Sequence, residues 1–337
     1  MLGGGTVNHE REGTMTDLGK LKGLGAWQQA RHEIEDAVRE VLGPLPKSHV
    51  EIQIKTVDEM DYPGYTRRRV NYFVDEWTRI AGWLFLPEGR DEVPGILCCH
   101  NRVRQGKDEA AGISGDPMLA FAQRYAEMGY AALAPDCITA GERVLSRAQP
   151  YESKGYYKDS PKLSLAGKML SDHMHALDVF SEVKRVDAAR IGVIGHGLGA
   201  FNALMLSAFD ERVQACVASG GFSRLHDDAN PERWYQESET GLALMPALEP
   251  HVEKKSYPFD FEHILALAAP TATLVMSPQS GVEGVNAKSV NKAVDQAGKV
   301  YKMLSASSAL EYYEHDNGDS VNPDMMEVVD EWFDRWI

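Results

Sequence analysis

Hydrophobic and polar positions alternate along this chain in two different rhythms. Residues 25–42, containing WQQARHEIEDAVREVL, repeat apolar positions on one side of a helix, and Gly43 stops it. Three segments then partly alternate: VEIQIKTV (50–57), RRRVNYFV (67–74) and RIAGWLFLP (79–87). That period of two predicts antiparallel strands with one wetted face. From residue 94 the runs become short and almost continuously apolar: PGILCCH, YAALAPD, RIGVIG, VQACVASG and TATLVMS. Helical patterns such as 117–129 and 164–183 separate them. Strands buried on both faces read this way, so the expected fold is α/β, a mostly parallel doubly wound sheet with an antiparallel N-terminal edge. A strand at 309–315 and an amphipathic helix at 323–337 close the pattern. Residues 222–258 break the alternation with polar, aromatic and proline-punctuated sequence, which predicts a small lid-like insertion over the sheet.

The rest of the organisation follows from composition. The first 22 residues carry no apolar core of a secretory signal and read as a disordered leader, leaving residues 23–337 as a single domain. A formal charge of −15, from 35 basic and 50 acidic residues, argues against nucleic acid or an anionic membrane as partner. No apolar run approaches the ~18 residues of a membrane span. Cys98, Cys99, Cys137 and Cys216 lack metal or redox spacing, and three of them sit in strand-like runs. Buried reduced thiols in a cytoplasmic protein are the expectation. The composition leaves room for a homo-oligomer, and no motif calls for a cofactor or a metal. His173 and His175, two apart on a helix, point away from each other.

The chemistry concentrates in Gly195-His196-Gly197-Leu198-Gly199-Ala200, a glycine turn between a strand and a helix. It fits the dinucleotide fingerprint, in which backbone N–H groups at a helix start hold a pyrophosphate. That fingerprint needs an acidic residue at the end of the next strand to bind ribose. Here the next strand ends in Ser219-Gly220-Gly221.

The turn also resembles the nucleophile elbow G-x-S-x-G of the α/β-hydrolases. The likeness extends from about residue 25 onward and is nearest to the dienelactone hydrolase and acetyl xylan esterase-like branch. PGILCCHNRVRQGKDEAAGISGDPMLAFAQRYAEMGYAALAPD is similar to the family's third and fourth strand region, whose His-containing loop supplies an oxyanion-hole amide. The resemblance implies a nucleophile, then an acid, then a histidine. In this chain those places hold Gly197, an acid-free loop Pro278–Gly281 with Glu283 nearest, and Asp319 after Gly318. His315 lies four residues before Asp319. A degenerate triad is therefore expected, with the elbow's scaffold kept: glycine relieves the strain of an elbow tip, worth about 1–3 kcal/mol.

What remains is a set of candidates. The Leu198 amide and an amide after His100 are expected to converge as an anion-binding pair. His100, Asn101, Arg102 and Cys137 are candidate substrate-binding residues, and Asp319 and His196 are candidate proton carriers. Arg104 and Lys107 either join an anion site or form a solvated loop with Asp108 and Glu109. Three functions stay open. One is a triad-independent enzyme (proton transfer, elimination, isomerisation or decarboxylation) acting on a small anionic substrate. Another is a non-catalytic homologue that binds a small molecule or partners an active subunit. The third is an orthodox carboxylic-ester hydrolase with a relocated triad.

Overall fold

The computed structural model of the protein describes residues 15–46, 50–89, 91–238, 242–280 and 285–337. Its strands are β1 (Ile54–Tyr62), β2 (Tyr65–Phe73), β3 (Arg79–Pro87), β4 (Val93–Cys99), β5 (Ala131–Pro135), β6 (Val186–His196), β7 (Val213–Ser219), β8 (Ala272–Pro278) and β9 (Leu310–His315). They form one sheet in the order β1-β2-β3-β5-β4-β6-β7-β8-β9. Pairings from β1 through β2 and β3 to β5 are antiparallel, and all the others are parallel. Every residue of β5 and β8 is buried, as their unbroken apolar runs require.

The helices are α1 (Leu24–Leu42), α2 (Lys107–Ala110), α3 (Phe121–Glu127), α4 (Lys154–Asp159), α5 (Leu165–Ser181), α6 (Leu198–Phe209), α7 (Glu249–Lys254), α8 (Phe261–Ala268), α9 (Ala287–Met303) and α10 (Pro323–Trp336). In α1 the buried set Trp27, Ala30, Ile34, Val38 and Val41 follows the predicted stripe. Two glycines of β6 show how closely helices approach the sheet. A Cβ on Gly195 would lie 2.1 Å from the Gly199 carbonyl carbon in α6, and one on Gly192 would lie 2.6 Å from the Phe333 ring in α10. Positions three apart on a strand face opposite ways, so α6 and α10 cover opposite faces.

Two boundaries differ from expectation. The first strand spans 54–62 rather than 50–57. Nearly all of β1 is exposed, so no apolar alternation marks it. Cross-strand contacts with β2 hold it instead: Arg68 pairs with Glu59 at 2.5 Å, and Thr66 donates to Asp61 at 2.9 Å. The proposed leader is also too long. Residues 1–14 lie outside the described residues, but Leu18 is buried in a short 3-10 turn, and the Thr16 carbonyl bonds His263 at 2.7 Å. Among the described residues, no helix is long and apolar enough to cross a membrane.

Chain order also locates the site. After β4 the chain returns to β5 on one side, then crosses to β6 on the other. Loops leaving β4 and β6 therefore diverge at the carboxyl ends of adjacent strands, where open α/β sheets form a crevice.

Candidate functional site

Between those two loops lies a cavity of about 220 Å³. Asn101 and Arg102 reach it from β4, Gly197 and Leu198 from β6, and Asp319 from the loop after β9. Arg233, Trp234, Leu242 and Leu244 come from the 222–258 insertion, which thus forms one wall. Short 3-10 turns and α7 build that insertion. Trp234 is anchored by its Nε1–H to Asp228 at 2.8 Å and packs on Phe201 and Phe261.

The turn at Gly197 has φ 57° and ψ −118°, a positive-φ conformation that residues with side chains rarely adopt. Its N–H bonds the Ser219 carbonyl at 2.9 Å, locking the turn to β7. The Leu198 and Arg102 N–H groups do converge, but on the Asn101 side chain. Asn101 Oδ1 accepts from Arg102 N at 2.7 Å and from Leu198 N at 3.2 Å. The expected amide pair is therefore present and already engaged by a carboxamide. That occupant explains the glycine: a Cβ at 197 would stand 2.2 Å from Asn101 Oδ1. It also removes the amide on which the dinucleotide reading depends.

His196 bridges the cavity wall to the interior. Its Nδ1 lies 3.0 Å from Ser219 Oγ, and its Nε2 lies 3.2 Å from Asp319 Oδ1. His196 and Ser219 are buried, whereas the Asp319 side chain is 64% exposed. With Nε2–H donating to the carboxylate, Nδ1 is left to accept from the Ser219 hydroxyl. Asp319 Oδ2 has no hydrogen bond among the described residues. Arg102 is half-buried, and its guanidinium sits 5.8 Å over the Tyr151 ring. It has no ion pair among the described residues. Burial pushes its pKa down, yet a guanidinium stays charged. Arg233 is neutralised in part by Asp228 at 2.9 Å.

Architecturally, the fold is that of an α/β-hydrolase. The sequence model of the Dienelactone hydrolase family matches residues 80–244, which hold β4, the elbow turn and part of the lid. A glucuronoyl esterase from Solibacter usitatus superposes with a TM-score of 0.76 at 16% identity, covering 93% of this chain and 94% of that one. A putative acetyl xylan esterase from Bacteroides fragilis gives 0.68 at 19%, covering 90% and 78%. An acetyl xylan esterase from Paenibacillus sp. R4 gives 0.58 at 18%, covering 92% and 93%. No curated protein sequence matches. In this α/β-hydrolase fold the tip of the turn between β6 and α6 is Gly197.

Several candidates lie elsewhere. His100 is buried behind the loop and does not line the cavity. Its Nε2 accepts from the Cys137 N–H at 3.0 Å, so Nδ1 carries the proton and donates to the Asn101 carbonyl at 2.7 Å. Burial lowers its pKa, and it serves as a neutral weld between the β4 and β5 loops. Cys137 is equally buried, 3.9 Å from His173 Nε2, with its thiol pushed up to about 12 by burial. It neither lines the cavity nor carries a thiolate. Lys107 is neither solvated nor in the cavity: it is buried between Asp136 at 2.7 Å and Glu142 at 3.0 Å. His315 ends β9, buried, with neither ring nitrogen bonded. Gly281 and Glu283 lie outside the described residues. The sequence reading missed Ser219 and Arg233 as site residues. Ser219 ends the strand beside the elbow, so sheet adjacency was its only signal; Arg233 arrives through the lid's path, which leaves no local pattern.

Proposed function

We propose that this protein is a triad-independent enzyme that moves a proton on a small carboxylate or related anion bound in the cavity. The observation carrying this is the Ser219–His196–Asp319 chain ending at the cavity wall beside a side-chain-free Gly197. Asp319 is the base: His196 orients one oxygen and leaves the other available to a substrate C–H or O–H. The charge that develops on an enolate oxygen falls to Arg102, a cation without an internal partner among the described residues. The glycine at 197 supports chemistry without an acyl-enzyme, since no hydroxyl stands at the elbow. Cytoplasmic residence, with reduced cysteines, belongs to the same proposal.

Exchange of carbon-bound hydrogen in D2O tests this without knowing the full reaction. Small 2-oxo and 3-oxo acids are followed by NMR with wild type, Asp319→Asn and His196→Ala. Asp319→Asn is expected to slow exchange by about 10²–10⁴-fold. Exchange that is equally fast in the variant, or missing for every acid, refutes the proposal.

The same distances favour one other reading, a relocated Ser219–His196–Asp319 hydrolase triad. Burial weighs against it, because the hydroxyl is at the closed end and the carboxylate at the open one. A fluorophosphonate reagent decides: wild type is expected to remain unlabelled. Labelling abolished by Ser219→Ala would establish the relocated triad instead.

A further inference from the structure

The two amides beside Gly197 bind a group that belongs to the chain itself. Both partners of Asn101 Oδ1 are N–H donors, so the oxygen and nitrogen of this carboxamide are assigned without ambiguity. Pinning Oδ1 also fixes Nδ2, which has no hydrogen-bond partner among the described residues. The group fills the volume a side chain at 197 would take: Oδ1, Cγ and Nδ2 lie 2.2, 2.9 and 3.2 Å from the Cβ position there. Asn101, Arg102 and Gly197 all line the same cavity.

We propose that Asn101 hands the donor capacity of the Leu198 and Arg102 amides outward to its own Nδ2, so that Asn101 Nδ2–H and the Arg102 guanidinium form the carboxylate-recognising pair of the cavity. Two N–H groups on Oδ1 polarise the carboxamide and strengthen its N–H donors, because chained hydrogen bonds reinforce one another in a low dielectric. The anion then sits one carboxamide further out than it would against the bare amides, toward Asp319 and the lid. A neutral donor beside one guanidinium suits a singly charged carboxylate better than a doubly charged phosphate. This deepens the anion-cavity reading above and rests on it.

The test is binding, measured by ligand-observed NMR on the full chain with acetate, benzoate and inorganic phosphate. Wild type is expected to bind a carboxylate saturably and more tightly than phosphate. Arg102→Ala and Asn101→Ala are each expected to weaken it about 10-fold or more, as loss of a charge-assisted hydrogen bond does. Asn101→Asp keeps an oxygen for both amides but replaces the donor with an acceptor, and is expected to abolish binding. Tighter binding by Asn101→Ala would mean that the carboxamide merely plugs the amides, and would overturn the relay. Unchanged binding in Asn101→Ala, with loss in Arg102→Ala, overturns the relay and leaves the cavity reading standing. No carboxylate binding by wild type overturns both, and preference for phosphate overturns the assignment. Should Asn101→Ala fail to fold, Asn101→Asp decides: wild-type affinity there sinks the proposal.

Discussion

Restoring a serine at the elbow is expected to cost stability, because Asn101 already stands where its side chain would go. In Gly197→Ser the new Cβ starts 2.2 Å from Asn101 Oδ1, far inside contact distance, so the carboxamide must leave. Its departure breaks the bonds from Arg102 N and Leu198 N, at about 0.5–1.5 kcal/mol each. The backbone at φ 57° adds about 1–3 kcal/mol for a residue with a side chain. The total is about 2–6 kcal/mol. Urea unfolding followed by circular dichroism reads it directly. Asn101→Ala loses the same two bonds, so the double variant is expected to be about 1–3 kcal/mol more stable than the sum of the singles predicts. A cost below about 1 kcal/mol for Gly197→Ser, or additivity within ~0.5 kcal/mol, would refute the steric linkage between the two positions.

Two further outcomes follow from buried charge and buried histidine. Lys107→Ala leaves Asp136, whose side chain is fully buried, without its ammonium partner; a loss of about 3–5 kcal/mol is expected, and one under 1 kcal/mol would show that the pair is solvated. Burial holds the pKa of His173 down to about 4, against 6.5 for an ordinary histidine. The unfolded chain therefore takes up a proton that the folded chain refuses, and stability falls as pH drops from 6.5 towards 4, by up to about 3 kcal/mol. Urea melts at pH 7 and pH 4.5 should show a shallower acid loss in His173→Leu; an unchanged difference would remove His173 from the cause.

Much of the architecture was legible because burial writes itself into the chain. Strands covered on both faces need unbroken apolar runs, and α1 needs an apolar stripe, so these elements could be read locally. β1 could not, because an exposed edge strand held by pairs such as Glu59–Arg68 has no apolar signal. Within the site, Gly197 and Asp319 were found as departures from a family pattern. Asn101 was found as a candidate but not its contact with the elbow, and Ser219 was not found, since each is an ordinary polar residue until the sheet brings it beside the elbow.

By itself the sequence determined the sheet, the glycine turn at 195–199, and the absence of a hydroxyl at its tip. These depend on residue type and periodicity, which one chain segment contains in full. The tertiary structure alone decided which groups meet. It set Asn101 Oδ1 against the distant Leu198 amide as well as its neighbour's, aligned Ser219, His196 and Asp319 from three elements, and withdrew His100, Cys137 and Lys107 into the interior. Hydrogen bonds and clashes act over about 3 Å, and residues 97 or 123 positions apart come within that distance only when the sheet closes around them.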